Sequence, residues 1–419
     1  MTLAFQEALR FLFPRTNAGG KWSLGPTRAL LDELGHPERH FASIHIGGTN
    51  GKGSVATLCY AALRAAGYRT GIYTSPHLVD VRERMVVDGR PITPEAFAAW
   101  TERLRAVIER TGASFFEATT AIAFADLAAR GVEIAVIEVG LGGRLDCTNV
   151  IDPLVSAVTH VGLEHTEFLG STLAAIAREK AGIAKPGRPF VIGEPDRGVA
   201  DVLKQVATQA GASVVAVPGD ARYPGPLALM GGYQRRNAAI ALAMLRELPD
   251  AWQPGRDAIE TAFNHATVAG RMDRRGKWLF DVAHNAGGMA ALTEAVKDQA
   301  IVRPVHAVVG ILRDKDWRAM LGLLGQAVDH VWLTQPPTAP EERRWDLEEV
   351  AQWASGQREG AMPYRGDSTA GPFLRHTTQP NFEQALRDAQ VDAGTVLVTG
   401  SFHTVGDALA RLPGFAPLG

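Results

Sequence analysis

An apolar run, Ile44-His45-Ile46, breaks into Gly47-Gly48-Thr49-Asn50-Gly51-Lys52-Gly53-Ser54 and then into a helical pattern from Val55. These residue types make a phosphate cradle. Glycines let backbone N–H groups converge on a polyphosphate, the following helix turns its positive end toward it, and Lys52 adds a point charge. The spacing departs from the common P-loop, because Gly53 intervenes between Lys52 and Ser54, so a generic GTPase or kinase is disfavoured. The bland alternative is an ordinary glycine turn between strand and helix.

Further segments carry chemistry. Tyr73-Thr74-Ser75-Pro76-His77-Leu78 precedes Arg82-Glu83-Arg84; a hydroxyl at a strand end can ligate magnesium and arginines suit carboxylates, although a Ser-Pro turn is often only a turn. Glu138 ends the apolar run Ala135-Val136-Ile137 and leads into Gly140-Leu141-Gly142-Gly143-Arg144-Leu145-Asp146. A glutamate in a buried strand needs a metal or a paired cation, and Arg144 is the candidate for the second reading. His165 lies in Glu164-His165-Thr166-Glu167-Phe168-Leu169-Gly170, and Lys180 in the helical Glu179-Lys180-Ala181-Gly182-Ile183. Histidine suits manganese or a phosphate-linked ion better than an isolated magnesium, and Lys180 reads either as a paired lysine or as an amine tuned by burial. Nearer the C-terminus, Phe280-Asp281-Val282-Ala283-His284-Asn285-Ala286-Gly287-Gly288 repeats the layout of strand, polar turn and Gly-led helix, with a plain capped helix as the alternative, and Gly270-Arg271 with Gly232-Tyr233-Gln234-Arg235-Arg236-Asn237 completes the polar set.

The elements that must position these groups alternate short β-branched runs with Ala/Leu-rich helical patterns, as in parallel sheets wrapped by helices. Strands are expected at residues 43–46, 69–73, 134–139, 155–159 and 189–192. A polar break over 264–275 is followed by strands at 278–282, 305–309, 330–333 and 395–398, and residues 357–379 read as loop. The fold class is therefore α/β: a larger N-terminal P-loop ATPase-type domain, residues 1–268, and a smaller doubly wound domain, 269–419, with the boundary near Ala269.

Composition narrows the partners. The net charge of −2 over 419 residues argues against nucleic acid or a membrane surface, leaving small molecules. Two cysteines, Cys59 and Cys147, fit a reducing compartment, and the cytoplasm is the expected location. No run approaches a membrane span, and residues 1–13 read as an amphipathic helix rather than a signal peptide. Only eight lysines stand against 35 arginines, which draws attention to Lys52, Lys180, Lys185 and Lys315.

Taken together, GTNGKGS, YTSPHL, IEVGLGGRLD, EHTEFLG, EKAGI, YQRRN and DVAHN resemble, in order and over almost the whole chain, the folylpolyglutamate synthase and dihydrofolate synthase family of the Mur ligase superfamily. The resemblance implies two Rossmann-like domains and an ATP-dependent amide ligase. In that family the γ-phosphate passes to a pterin-linked carboxylate, and glutamate displaces phosphate from the acyl phosphate. It further implies that Thr49, Asn50, Gly51, Lys52, Gly53 and Ser54 cradle ATP, with Lys52 on the terminal phosphates, and that Asn237, Arg271, Asp281 and His284 are further ATP contacts. Ser75, Glu138 and His165 match its magnesium ligands, two ions being expected. Lys180 matches a lysine that the family carries as a carbamate, the alternative being a plain lysine paired with Glu179 or Glu167. Lys52, Lys180 and His165 are thus the catalytic set. Ser114, Phe115, Phe116 and Glu117, with Leu145, Asp146 and Cys147, resemble the dihydropteroate pocket, and Arg84 and Ser401 are candidates for glutamate or folate.

Two departures, Ser114 for threonine and Cys147 for alanine, touch pterin specificity rather than reaction type. The expected enzyme is a monomer, bifunctional on dihydropteroate and reduced folates. A folylpolyglutamate synthase alone, or a Mur-type ligase for another acid, is the alternative. A cell-wall Mur ligase would need an extra N-terminal domain, and a non-catalytic nucleotide-binding module would be expected to lack one of Lys52, Glu138 and His165.

Overall fold

The structure is a computed structural model that describes residues 2–17, 23–298, 300–356 and 375–416. It falls into two compact units, one of Met1–His77, Val81–Ala228 and Gln234–Ala266, the other of Leu78–Asp80, Leu229–Tyr233 and Thr267–Gly419. Two short excursions assigned to the second unit are thus threaded through the first stretch of sequence.

The first unit is built on an eight-stranded sheet of β1 (Ala42–Gly47), β2 (Thr70–Tyr73), β3 (Met85–Val87), β4 (Arg90–Pro91), β5 (Ile134–Glu138), β6 (Val155–Val158), β7 (Pro189–Ile192) and β8 (Ser213–Ala216), in the order β4-β3-β2-β5-β1-β6-β7-β8. Every pair is parallel except β2–β3 and β3–β4. The central β5, Ile-Ala-Val-Ile-Glu, is buried along its whole length, which is why its sequence is a continuous apolar run rather than an alternation. On one face Ala135 and Ile137 pack with Tyr73, Phe115 and Phe124, while Val139, Val158 and Ile192 meet Ile176 and Leu203 in a separate core. Strand order reverses around β1, so the loops after β1, β5 and β6 open where such sheets hold ligands.

The second unit carries a six-stranded sheet of β9 (Asp273–Arg275), β10 (Trp278–Asp281), β11 (Val305–Val309), β12 (His330–Leu333), β13 (His376–Thr378) and β14 (Thr395–Thr399), ordered β13-β12-β11-β14-β10-β9. Only β9 is antiparallel to its neighbour among these pairs. Alternate residues feed two cores: Leu279, Ala307, Val309 and Leu397 on one face, Phe280, Val308, Val396 and Val398 on the other.

The strands that sequence misses lie at or beside the sheet edges. β4 and β8 end the first sheet, with β3 next to its edge, and β9 and β13 end the second, where short pairing and partial exposure demand little apolar signal. β9 therefore corrects the polar break at 264–275, and β13 corrects the loop expected over 357–379, of which residues 357–374 lie outside the described residues. The helix after the glycine turn begins at Lys52, three residues before Val55. The helix Leu3–Leu12 is amphipathic as expected, burying Phe5, Ala8 and Leu12. No helix among the described residues is long and apolar enough to cross a membrane.

The second sheet holds a histidine ladder. His306 and His330 face each other across β11 and β12 with ring centroids 5.7 Å apart, and His376 follows Arg375 at the start of β13. His330 titrates below its ordinary value of 6.5, first because it is partly buried and then because His306, His376 and Arg375 add positive charge around it. A depressed folded-state pKa means that the unfolded chain binds the proton more readily, so this stabilising contribution is present above pH 6.5 and lost as pH falls through the folded value. Urea midpoints measured between about pH 7.5 and 5.5 should therefore fall less steeply in His330→Gln than in the parent; identical slopes would contradict the assignment.

Candidate functional site

The loop after β1 is held open by its neighbours. Thr49 N–H donates to His160 O at 2.7 Å, and the Thr159 hydroxyl donates to Asn50 O at 2.7 Å. Gly48 and Gly51 have φ of +144° and +91°; a Cβ would stand 2.0 Å from Thr159 Oγ1 at the first and 2.6 Å from Asn237 Oδ1 at the second. Both positions thus exclude any side chain, on backbone conformation and on space. Asn237 is itself oriented by its Nδ2 donating to Gln234 Oε1 at 2.9 Å, which brings two of the expected nucleotide residues, Gly51 and Asn237, into contact.

Lys52 is the first residue of the helix Lys52–Ala65, whose Gly51 N-cap offers no side chain to the free N–H groups. Its Nζ donates to Gly48 O at 2.8 Å and Thr49 O at 3.0 Å. The ammonium therefore lies over its own loop beside exposed helix donors, an arrangement that attracts a polyphosphate. Ser54 is buried one turn in.

Glu138 ends β5, next in register to Ile46 of β1. Its carboxylate is 4% exposed and accepts the Ser75 N–H at 3.0 Å. A Cβ on Gly53 would be 3.8 Å from both of its oxygens, so the carboxylate faces the first turn of the helix that starts at Lys52. The expectation that Arg144 could pair with it is corrected: Arg144 bonds Glu179 at 2.9 Å, because both lie where the 140–146 loop crosses the end of the helix Leu173–Ala181. His165 sits on the exposed loop after β6 with φ of +47°, in the left-handed region that costs a non-glycine residue energy. Among the described residues no group of three His, Cys, Asp or Glu converges tightly enough to hold a metal alone. Glu138 and the adjoining Ser75 offer carboxylate and hydroxyl donors, a sparse oxygen set that suits magnesium or manganese completed by phosphate and water.

Lys180 is 1% exposed and pairs with Glu164 at 2.9 Å, not with Glu179 or Glu167. Burial lowers the amine, Glu164 opposes and Lys52 reinforces, leaving it at about 8. Burial would raise Glu164, but Lys52, Lys180 and hydrogen bonds from Lys180 and Thr49 outweigh it and hold the carboxyl at about 2. Glu164 is the residue that sequence reading passed over. It stands beside the histidine that drew notice, and its partner is sixteen residues away on a packed helix.

Ser114 and Glu117 form a capping box on the helix Phe115–Ala129: the Ser114 hydroxyl receives Glu117 N–H, and Glu117 receives Ser114 N–H at 2.7 Å. Phe115 and Phe116 lie under the Arg84 guanidinium, 5.2 and 5.0 Å from it. Arg84 is 4% exposed, donates from Nε to His77 Nδ1 at 2.9 Å and leaves Nη1 buried without a hydrogen-bond partner. Burial lowers its pKa, with Tyr73 and Glu138 opposing. Cys147 Sγ lies 3.0 Å from Thr120 Oγ1, which lies 3.0 Å from Tyr73 OH. Asp146 is buried and turns back on its own loop to accept Leu141 N–H and Thr148 N–H, with Leu145 just before it. Arg84, Phe115, Phe116 and Cys147 are thus one neighbourhood, an arginine clamped on aromatic rings.

In the second unit, Asp281 ends β10, buried, and accepts Met272 N–H at 2.9 Å and Ala283 N–H at 3.0 Å. Burial raises its carboxyl while Arg271 opposes. The Phe402 ring lies 5.6 Å from the Arg271 guanidinium and 5.3 Å from the His284 ring, so Arg271, Asp281 and His284 gather at one end of this sheet. Ser401 caps the helix Phe402–Arg411 and bonds Thr404 Oγ1 at 2.8 Å, which gives its hydroxyl a local role.

Comparison with known proteins places this geometry. Residues 46–223 match the Mur ligase middle domain and residues 270–402 the Mur ligase glutamate ligase domain. A dihydrofolate synthase/folylpolyglutamate synthase of Mycobacterium tuberculosis is 36% identical, over 93% of this chain and 86% of that protein. A probable bifunctional folylpolyglutamate synthase/dihydropteroate synthase of Halobacterium salinarum is 33% identical over 98% of this chain, which spans about half (52%) of that longer relative. A Yersinia pestis bifunctional folylpolyglutamate synthase/dihydrofolate synthase, complexed with AMPPNP and a manganese ion, superposes with a TM-score of 0.82 at 29% identity, covering 98% of this chain and 99% of that one. The chain belongs to the dihydrofolate synthase/folylpolyglutamate synthase family of the Mur ligases.

Proposed function

We propose that the protein is an ATP-dependent ligase that joins the amine of L-glutamate to a pteroyl carboxylate, acting on dihydropteroate and then on reduced folates. The observation that carries this reading is the pairing of a glycine loop, with Lys52 at a helix start, to a buried Glu138 that faces the same turn. The relatives' names and the nucleotide-bound structural neighbour support the substrate class.

In the first step the acceptor carboxylate attacks the γ-phosphorus and ADP leaves; in the second the glutamate amine attacks the acyl carbon, loses a proton and expels phosphate. Both reactants of the first step are anions, so catalysis is chiefly placement and charge. Lys52 and the helix donors hold the terminal phosphates, Asn237 borders the loop, and Arg271, Asp281 and His284 are the nucleotide residues of the second unit. Arg84, over the rings of Phe115 and Phe116, suits the acceptor, with a buried cation for its carboxylate and rings for a flat heterocycle. Glu138, Ser75 and His165 would hold a divalent ion, which would supply positive charge between the two anions. Lys180 would serve as a carbamate: burial leaves its amine at about 8, and the neutral Nζ adds carbon dioxide with loss of one proton to water.

ADP release with ATP, magnesium and glutamate, measured separately with dihydropteroate and tetrahydrofolate, tests the reading. Product from both acceptors is expected, and product from neither overturns it. Turnover with tetrahydrofolate alone would favour the narrower folylpolyglutamate synthase. Glu138→Gln keeps the shape and the bond from Ser75, so the variant should fold while turnover drops on the order of a hundredfold, partly recovered at high magnesium. A wild-type magnesium dependence would remove Glu138 from the metal site.

A further inference from the structure

His45 is fully buried on β1, two residues before the glycine run that starts at Gly47. Its Nε2 lies 2.8 Å from Thr148 Oγ1, and Thr148 Oγ1 in turn bonds Asp146 Oδ1. Asp146 Oδ2 accepts Leu141 N–H at 2.8 Å. A continuous chain of bonds thus runs from the strand that carries the phosphate loop to the 140–146 loop that follows Glu138. That loop is stapled at its other side as well: Asn149 Nδ2 reaches Arg144 O and Gly182 O, both at 3.0 Å, and Arg144 N–H reaches Glu179 O at 2.8 Å.

Proton counting gives the chain a direction. Burial raises the Asp146 carboxyl above its ordinary value, with the Thr148 hydroxyl and backbone N–H groups opposing, and both of its oxygens already accept a backbone N–H, Oδ1 from Thr148 and Oδ2 from Leu141. Thr148 has one hydroxyl proton, and an ionised Asp146 can only accept it. The Thr148 oxygen is then the acceptor for His45, so the imidazole carries its proton on Nε2. The bare Nδ1 is left buried without a partner, an orphan acceptor, which costs less than the orphan N–H that the opposite tautomer would leave. Burial, with Lys185 adding to it, keeps the ring neutral, its pKa held down at about 3.

We propose that His45 is a positioning residue of the ligase, acting through Thr148 and Asp146 to set the 140–146 loop between Glu138 and the acceptor pocket at Cys147. The inference rests on the ligase reading above. The loop lies on the acceptor side, so breaking the chain should raise the KM for dihydropteroate while leaving the KM for ATP in place. A general loss of packing around β1 would instead disturb the adjoining phosphate loop and move both.

The test uses His45→Leu and the nearly isosteric Thr148→Val, each expected to raise the dihydropteroate KM roughly tenfold with the ATP KM unchanged. His45→Gln, whose Nε2 also donates, and Thr148→Ser should stay close to the parent, and the double variant His45→Leu/Thr148→Val should be no worse than either single one. Nitrogen-15 NMR of the full chain should show His45 as the neutral Nε2–H tautomer across about pH 5 to 8. A Nδ1–H tautomer, parallel rises in both KM values, or failure of Gln and Ser to restore the parent values overturns the proposal. The tautomer is read without turnover, so a parent chain inactive on both acceptors but with His45 protonated on Nε2 would refute the ligase reading, and with it the catalytic consequence, while the bond chain itself stood.

Discussion

Lys52→Ala is expected to lose turnover on the order of a thousandfold while the protein remains folded and still binds ATP. The ammonium bonds carbonyls of its own loop, Gly48 O and Thr49 O, and the helix behind it is anchored by Val55, Leu58 and Leu63 in the core. Removing the side chain therefore leaves the packing in place. What is lost is a positive charge at the phosphoryl group as charge develops between attacking and leaving oxygens, and charge placed there acts mainly in the transition state. ADP production, ATP binding by calorimetry and far-ultraviolet circular dichroism separate the three quantities. Turnover near the parent rate in a folded variant would take Lys52 out of the mechanism. Arginine at this position is not a substitute, because its planar fork cannot replace a compact ammonium over the loop carbonyls.

Lys180→Ala should be nearly as damaging, and in two ways. The ion pair it breaks is almost fully buried on the lysine side, so Glu164 is left without the cation that helps hold its carboxyl ionised, and a lower melting temperature follows. If the amine is carried as a carbamate, the variant also loses two anionic oxygens that a divalent ion prefers. Acetate added to Lys180→Ala should then restore part of the activity by occupying the vacated oxygen positions, which a lost ion pair alone cannot explain. Electron density at Nζ in crystals grown with bicarbonate and nucleotide decides the matter directly. A bare ammonium still bonded to Glu164 at good resolution would refute the carbamate.

Sequence alone determined the central architecture and the glycine loop after β1. The reason is that strands such as Ile134–Glu138, buried on both faces, must be written in continuous apolar residues, and a backbone that approaches phosphate must be written in glycine. Local chemistry of that kind is legible without neighbours. The edge strands β8, β9 and β13 were not, since a half-exposed strand with one partner imposes little pattern.

Pairings depended on the tertiary structure for a related reason. Arg144 is six residues from Glu138 in sequence yet bonds Glu179, and Lys180 bypasses Glu179 and Glu167 for Glu164, because the end of the helix Leu173–Ala181 packs against two strand-exit loops at once. Ser114 and Glu117 close a capping box with their side chains, and Asn237, far along the chain, lies against Gly51. Which polar group meets which is decided by where the sheet delivers its loop ends, and burial then makes each unpaired group costly enough that the match is enforced.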